Sequence, residues 1–206
     1  MPVTPSSVPT VKRTRMSPAA RREQLIALGL AMVRDRPLEE VSIDAVAGAA
    51  GVSRALPFHY FESKQDFHVA IARAQADEML ACTAPDPTLD DPITMLTRSM
   101  SAFIDYVSEN RKAYTAFMRG SSSADPAMRE VFDQTRAVMA GRVIDHAPKL
   151  GISVTPVVEM TVLGWISFVE ETTISWLTDP VITRDQLLTL ITASLPALAT
   201  VVATVS

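Results

Sequence analysis

Residues 42–64 read SIDAVAGAAGVSRALPFHYFESK. The side chains there that can hold an anion stand close together: Ser42, Ser53, Arg54, His59, Tyr60 and Lys64. Ser42 and Ser53 each precede a short run with helical periodicity, so each is a candidate N-cap. At such a position a hydroxyl, free backbone N–H groups and the helix dipole all favour a phosphate. Arg54 comes next, and its planar fork matches O6 and N7 of guanine. His59 and Tyr60 end the same run, within reach of phosphate or sugar, although Tyr60 could equally pack inward. This is chemistry for holding a polyanion rather than for breaking bonds.

Other chemistries find little support. No nucleophile or orienting carboxylate lies near His59 in sequence, so a catalytic base is not expected there. There is no phosphate-binding glycine loop and no nucleophile motif. His59, His68 and His146 are scattered and Cys82 is the single cysteine, so neither a metal site nor an intrachain disulfide is expected. Cys82 lacks a motif and reads as a small buried hydrophobe. No catalytic residue, metal or cofactor is expected, and one cysteine suits a reducing cytoplasm.

The elements that must position the anion-holding residues are short helices. Ser17-Pro18 opens a first helix over about 18–35, with Leu25, Leu28, Met32 and Val33 on one stripe and Arg36-Pro37 as its stop. Ser42 opens a second, with Ile43, Val46, Ala47 and Ala50 on one face, ended by Gly51. Ser53 is expected to cap a third, and Ser63 a fourth whose buried side carries Phe67, Ala70, Ile71 and Ala74. Two short helices across a glycine turn, braced on both sides, make a helix-turn-helix.

On these residues the segment resembles the DNA-binding signature of the TetR family of bacterial regulators. The shared features are the serine-capped second helix, the Ala47–Ser53 turn, Phe58-His59-Tyr60-Phe61, and Ser63-Lys64 opening the fourth helix. The likeness covers roughly residues 18–72. It implies a homodimer on a palindromic double-stranded operator, a third helix in each major groove, and release when a small-molecule effector enters the larger domain. Lys64 would then grip the DNA backbone. Leu56 stands where the pattern has a small residue, and would meet a thymine methyl or pack. Pro57 replaces an aliphatic residue and could shift the start of the third helix, although a proline in a first turn loses few hydrogen bonds. Phe58 lacks the hydroxyl of the usual tyrosine.

The rest of the chain must be the larger domain. Residues 1–64 carry nine basic against six acidic residues, while 65–206 carry ten against seventeen. A basic end on an acidic body suggests that only the first part meets nucleic acid. Residues 1–17 have three prolines and no apolar run, so they read as a flexible basic arm rather than a secretory signal, with Arg13 and Arg15 able to enter a minor groove. Residues 18–64 are the helix-turn-helix domain, and 65–206 the effector-binding and dimerisation domain. The whole is read as all-α with about nine helices.

Met100, Phe103, Tyr106, Tyr114, Phe117, Met118, Trp165 and Phe168 are candidate pocket residues, since methionines and aromatics line adaptable apolar cavities. Any one of them would serve equally as plain core. Glu170 and Glu171 interrupt an apolar helix, facing solvent, a ligand amine or an arginine across a dimer. Gln186–Ser206 has no charged residue and is long enough to span a bilayer. Its threonines and the lack of a Lys/Arg flank favour instead a four-helix bundle in which the last two helices pair with their copies. The competing functional class is a helical hydrophobic-ligand-binding or membrane-associated protein with no operator.

Overall fold

The computed structural model describes residues 16–120 and 125–205. Among them the chain forms eight α-helices, three 3₁₀ turns and no strand. The helices are α1 (Pro18–Val33), α2 (Ile43–Ala49), α3 (Lys64–Cys82), α4 (Pro92–Glu109), α5 (Arg111–Arg119), α6 (Pro126–Ile144), α7 (Pro156–Thr178) and α8 (Arg184–Val205).

Their starts follow from side-chain chemistry. Ser17, Ser42, Ser63, Asp91, Asp125 and Thr155 each accept a hydrogen bond from a backbone N–H in the first turn they cap. Such caps contribute about 1 kcal/mol each. Prolines at the first position of α1, α4, α6 and α7 give up an N–H that has no helical partner there. Gly51, at φ 65°, ends α2: its N–H donates to Gly48 O (3.1 Å) and that of Val52 to Ala47 O (3.0 Å), the two bonds of a Schellman motif.

The expected third helix is the element that fails to form. The segment is a 3₁₀ turn, Leu56–His59, and no side chain caps it. Had Ser53 been the cap, Pro57 would occupy the first position whose N–H must bond back to Ser53 O. Proline has none, so Leu56 N–H donates to Ser53 O instead (3.0 Å), and the tighter spacing continues. Pro57 itself is buried.

Packing produces two cores. The smaller gathers Leu25 and Val33 of α1, Val46 of α2, Phe61 ahead of α3, Phe67 and Ile71 of α3, and also Phe117 of α5 and Met128 of α6. The larger holds Phe103 and Ile104 of α4, Trp165 and Ile166 of α7, and Leu187 and Ile191 of α8. Burying each of these large side chains contributes roughly 1.5–3 kcal/mol. α3 crosses the 64/65 border, its first turns in the small core and Met79 in the large one. α1 lies against α3 so tightly that a Cβ on Gly29 would come within 2.6 Å of Ile71 Cδ1.

Two other side-chain expectations change. Cys82 is exposed rather than buried, because it is the last residue of α3 and falls off the helix's inward face. Glu170 and Glu171 both meet arginines of the same chain. Arg136 of α6 holds Glu170 at 2.8 Å, and Arg119 of α5 pairs with Glu171.

α8 has one helix-long apolar stretch, Arg184–Val202, sufficient by length and composition to cross a membrane. In the fold it packs on α4 and α7 through Leu187, Ile191 and Val202. Leu190, Leu198 and Val201 remain exposed on α8, as do Met160 and Leu163 on α7.

Candidate nucleic-acid interface and ligand cavities

The α2 turn and the 3₁₀ turn after it bring Ser53, Arg54, Phe58 and His59 to the surface together, all exposed. Beneath them Val46, Ala47, Pro57 and Phe61 are buried, so the strip is fixed from below. Arg54 is the freest cation of the strip: its side chain is 84% exposed, with Asp44 a distant 3.9 Å away. Lys64, exposed at the start of α3, donates its Nζ to Glu39 O at 2.7 Å, which holds the ammonium beside the strip. Ser42 is half-buried and its hydroxyl is engaged as the α2 cap, accepting from Ala45 N–H at 3.1 Å. Leu56 and Tyr60 are half-buried, and Tyr60 packs on the small core. Arg13 and Arg15 lie outside the described residues.

Phe58 was missed as a candidate. It is 57% exposed, a large apolar ring in an otherwise polar strip. It lacks the hydroxyl of the usual tyrosine, and an apolar contact with a thymine methyl is the chemistry its exposure offers.

The eight pocket candidates divide. Phe103, Tyr106, Tyr114, Phe117 and Met118 line one cavity of about 50 Å³ between α3, α4, α5 and α6. Met100 and Trp165 line a second of about 80 Å³, whose wall shares Met139 with the first. The Trp165 indole donates to Ile191 O (3.1 Å) and Ser194 Oγ (3.0 Å), which locks the ring as a wall. Phe168 packs on the large core and lines neither cavity. A third cavity of about 280 Å³ adjoins the second through Ile93, Val143, Leu150 and Leu195. It had no signal in the sequence, because its walls are mostly ordinary Val, Ile, Leu and Ala.

In the first cavity, burial pushes the Tyr114 phenol well above its ordinary pKa, and the nearby Glu170 carboxylate adds to this. Burial likewise raises Tyr106, with Glu78 reinforcing it, so both rings stay neutral donors. The Tyr106 hydroxyl reaches Gln75 O (3.2 Å) and Glu78 Oε2 (3.3 Å), and Glu78 pairs with Arg34 at the end of α1 (3.3 Å). A cavity wall is thereby tied to the smaller core's first helix.

Residues 25–71 match the family description "Bacterial regulatory proteins, tetR family". Residues 92–198, just over half of the chain, match "Tetracyclin repressor-like, C-terminal domain". The chain belongs to the TetR family of bacterial transcriptional regulators. A solved TetR-family regulator from Streptomyces coelicolor is 30% identical, with a TM-score of 0.80, over 93% of this chain and 85% of that one. Among curated proteins, the transcriptional regulator EthR of Mycobacterium tuberculosis is 31% identical over 104 residues, 48% of each chain. The transcriptional activator FasR of Mycolicibacterium smegmatis is 23% identical over 107 residues, 52% of this chain and 49% of that protein. The chain spans about half the length of the curated relatives it matches. TetR-family proteins are regulators rather than enzymes; they bind DNA operators and typically act as dimers with small-molecule effectors.

Proposed function

We propose that this protein is a ligand-responsive transcriptional repressor, cytoplasmic, that binds a palindromic operator as a homodimer. The observation that carries the reading is the exposed strip of Arg54, Phe58 and His59 beside Lys64, held over a small buried core. Arg54 reads a guanine, Phe58 and Leu56 meet apolar base edges, and His59, Tyr60, Ser42, Ser53 and Lys64 hold the backbone. Arg13 and Arg15 on the arm, residues 1–17, reach the minor groove. Residues 18–64 supply the contacts, with α3 as the shared element, and residues 65–206 the effector site and the dimer.

The exposed apolar stripe of Met160 and Leu163 on α7 with Leu190, Leu198 and Val201 on α8 supports dimerisation through these two helices. Two copies would close it as a four-helix bundle rather than leave it to water or a membrane. An effector lodged against Met139, the wall shared by the first two cavities, would press on the Tyr106–Glu78–Arg34 chain, and with it the seat of α1.

The test is fluorescence anisotropy of labelled DNA from beside the coding region, at two salt concentrations with scrambled competitor, backed by selection of genomic fragments. Selective, salt-sensitive binding is expected. No selective fragment from either source would overturn the regulator reading and favour the helical ligand-binding protein.

A further inference from the structure

Arg142, in the last turn of α6, is half-buried on the wall of the second cavity. Its guanidinium donates to Leu80 O at 2.9 Å and to Thr83 Oγ1 at 3.3 Å, both neutral acceptors. Of the other half-buried arginines among the described residues, Arg136 and Arg184 pair with carboxylates and Arg21 donates to Gln24, whereas no carboxylate pair is found for Arg142. Burial lowers its pKa, with no nearby carboxylate to oppose that. A guanidinium has five N–H donors and two good neutral contacts leave capacity unused. A partly desolvated cation is costly unless an anion compensates it.

What adjoins this cation is apolar. The second cavity also has Ser99 and His146 near its polar wall, then Met100 and Trp165. It continues past Val143 and Leu195 into the third cavity, whose walls include Val158, Val162 and Val202. At about 280 Å³ that space exceeds the roughly 150 Å³ that holds a benzene ring in an engineered apolar cavity. The first cavity differs on both counts: it is about 50 Å³, and its charge, Glu170, is already matched by Arg136.

We infer that the second and third cavities together bind a single-chain carboxylate, with the head on the Arg142 guanidinium and the hydrocarbon tail among Val143, Val162 and Leu195. The inference depends on the reading of the larger domain as an effector domain, and it names the effector's chemical class. A guanidinium pairs two parallel N–H groups with one carboxylate, so a neutral head of equal length is the weaker ligand.

The probe is decanoate, with 1-decanol as its neutral counterpart, titrated into the full chain at neutral pH. Tryptophan emission reports entry, since Trp165 lines the path. Decanoate is expected to bind about tenfold or more tightly than 1-decanol, the factor that one charge-assisted contact supplies. Arg142→Gln should bring that ratio to about one while leaving 1-decanol unchanged. If Arg142→Gln keeps the preference, or the wild type shows none, the inference is overturned. A measurement without a variant guards against misfolding: the ¹³C-carboxyl signal of bound decanoate should stay ionised to lower pH than free decanoate. A bound carboxyl that protonates at the free value or above also overturns it. DNA anisotropy separates the two readings. Selective DNA binding without decanoate binding defeats this inference alone, whereas decanoate binding through Arg142 without selective DNA binding defeats the regulator reading alone.

Discussion

The two halves of the molecule place their candidate sites on opposite sides of their cores. In the small N-terminal half the core is shut in, and Arg54, Phe58, His59 and Lys64 lie outside it. In the larger half the candidate ligand residues are themselves core: Phe103 and Trp165 are almost wholly buried, and the cavities are gaps between them. A surface site can be read from residue types, because an exposed cation on a short turn has few structural duties. An interior site cannot, because a helix needs its apolar face whether or not a ligand is near.

The sharpest way to break this contrast is at the exposed stripe through which the large half is proposed to dimerise. Leu163 and Met160 are 48% and 68% exposed on α7. Leu163→Arg should give a monomer in sedimentation velocity and weaken operator binding by more than about a hundredfold, since each head would bind its half-site alone. Unchanged sedimentation would show that α7 is not the dimer face.

Legibility followed the same division. The caps at Ser17, Ser42 and Ser63, the stop at Gly51 and the proline-led start at Pro18 were all readable, because each depends on a residue's own chemistry with its neighbours. Pro57 was readable as a departure, but its consequence was not. Its cost depends on which residue caps the turn, and counting from Ser53 puts it one position beyond the free N–H groups. Glu170 was visible as an interruption in α7, yet Arg136 is 34 residues away and only the α6–α7 packing joins them. The eight pocket candidates share a residue type, and type does not say which void a ring faces.

The next effect tests how tightly the small core is closed. Gly29→Ala puts a methyl 2.6 Å from Ile71 Cδ1 and 2.9 Å from Phe67 Cζ. Alanine would favour the helix by about 1 kcal/mol, but overpacking costs roughly 1–3 kcal/mol. A lower midpoint in urea is expected. A higher midpoint would mean that α1 and α3 can separate without loss.

On the surface of that core, Arg54 and Lys64 should fail differently. Arg54→Ala should cost about 1–3 kcal/mol and relax the preference at one base pair in each half-site. Lys64→Ala should weaken binding on every sequence alike and reduce the salt slope by about one. Anisotropy over a panel of singly substituted operators separates the two. Equal losses across the panel for Arg54→Ala would move it from base reader to backbone contact.

The smallest effect concerns the one buried imidazole in the small half. His68 is 3% exposed, and its Nε2 lies 2.9 Å from Val41 O. A carbonyl can only accept, so Nε2 carries the proton and the neutral ring is satisfied there. Burial lowers its pKa below the ordinary 6.5; the Val41 bond opposes this, the Lys64 charge adds to it, and Glu39 works weakly against it. The folded state therefore binds a proton less readily than the unfolded chain. Stability from this group is complete above the unfolded value of about 6.5 and is lost as the pH falls below it. Thermal midpoints should drop by a few degrees on acidification from pH 7.5 to 5.5, and His68→Gln, which keeps a donor for Val41, should flatten the profile. If the variant is as acid-sensitive as the wild type, the small core is not where protons are taken up, and the acid sensitivity belongs to the larger half.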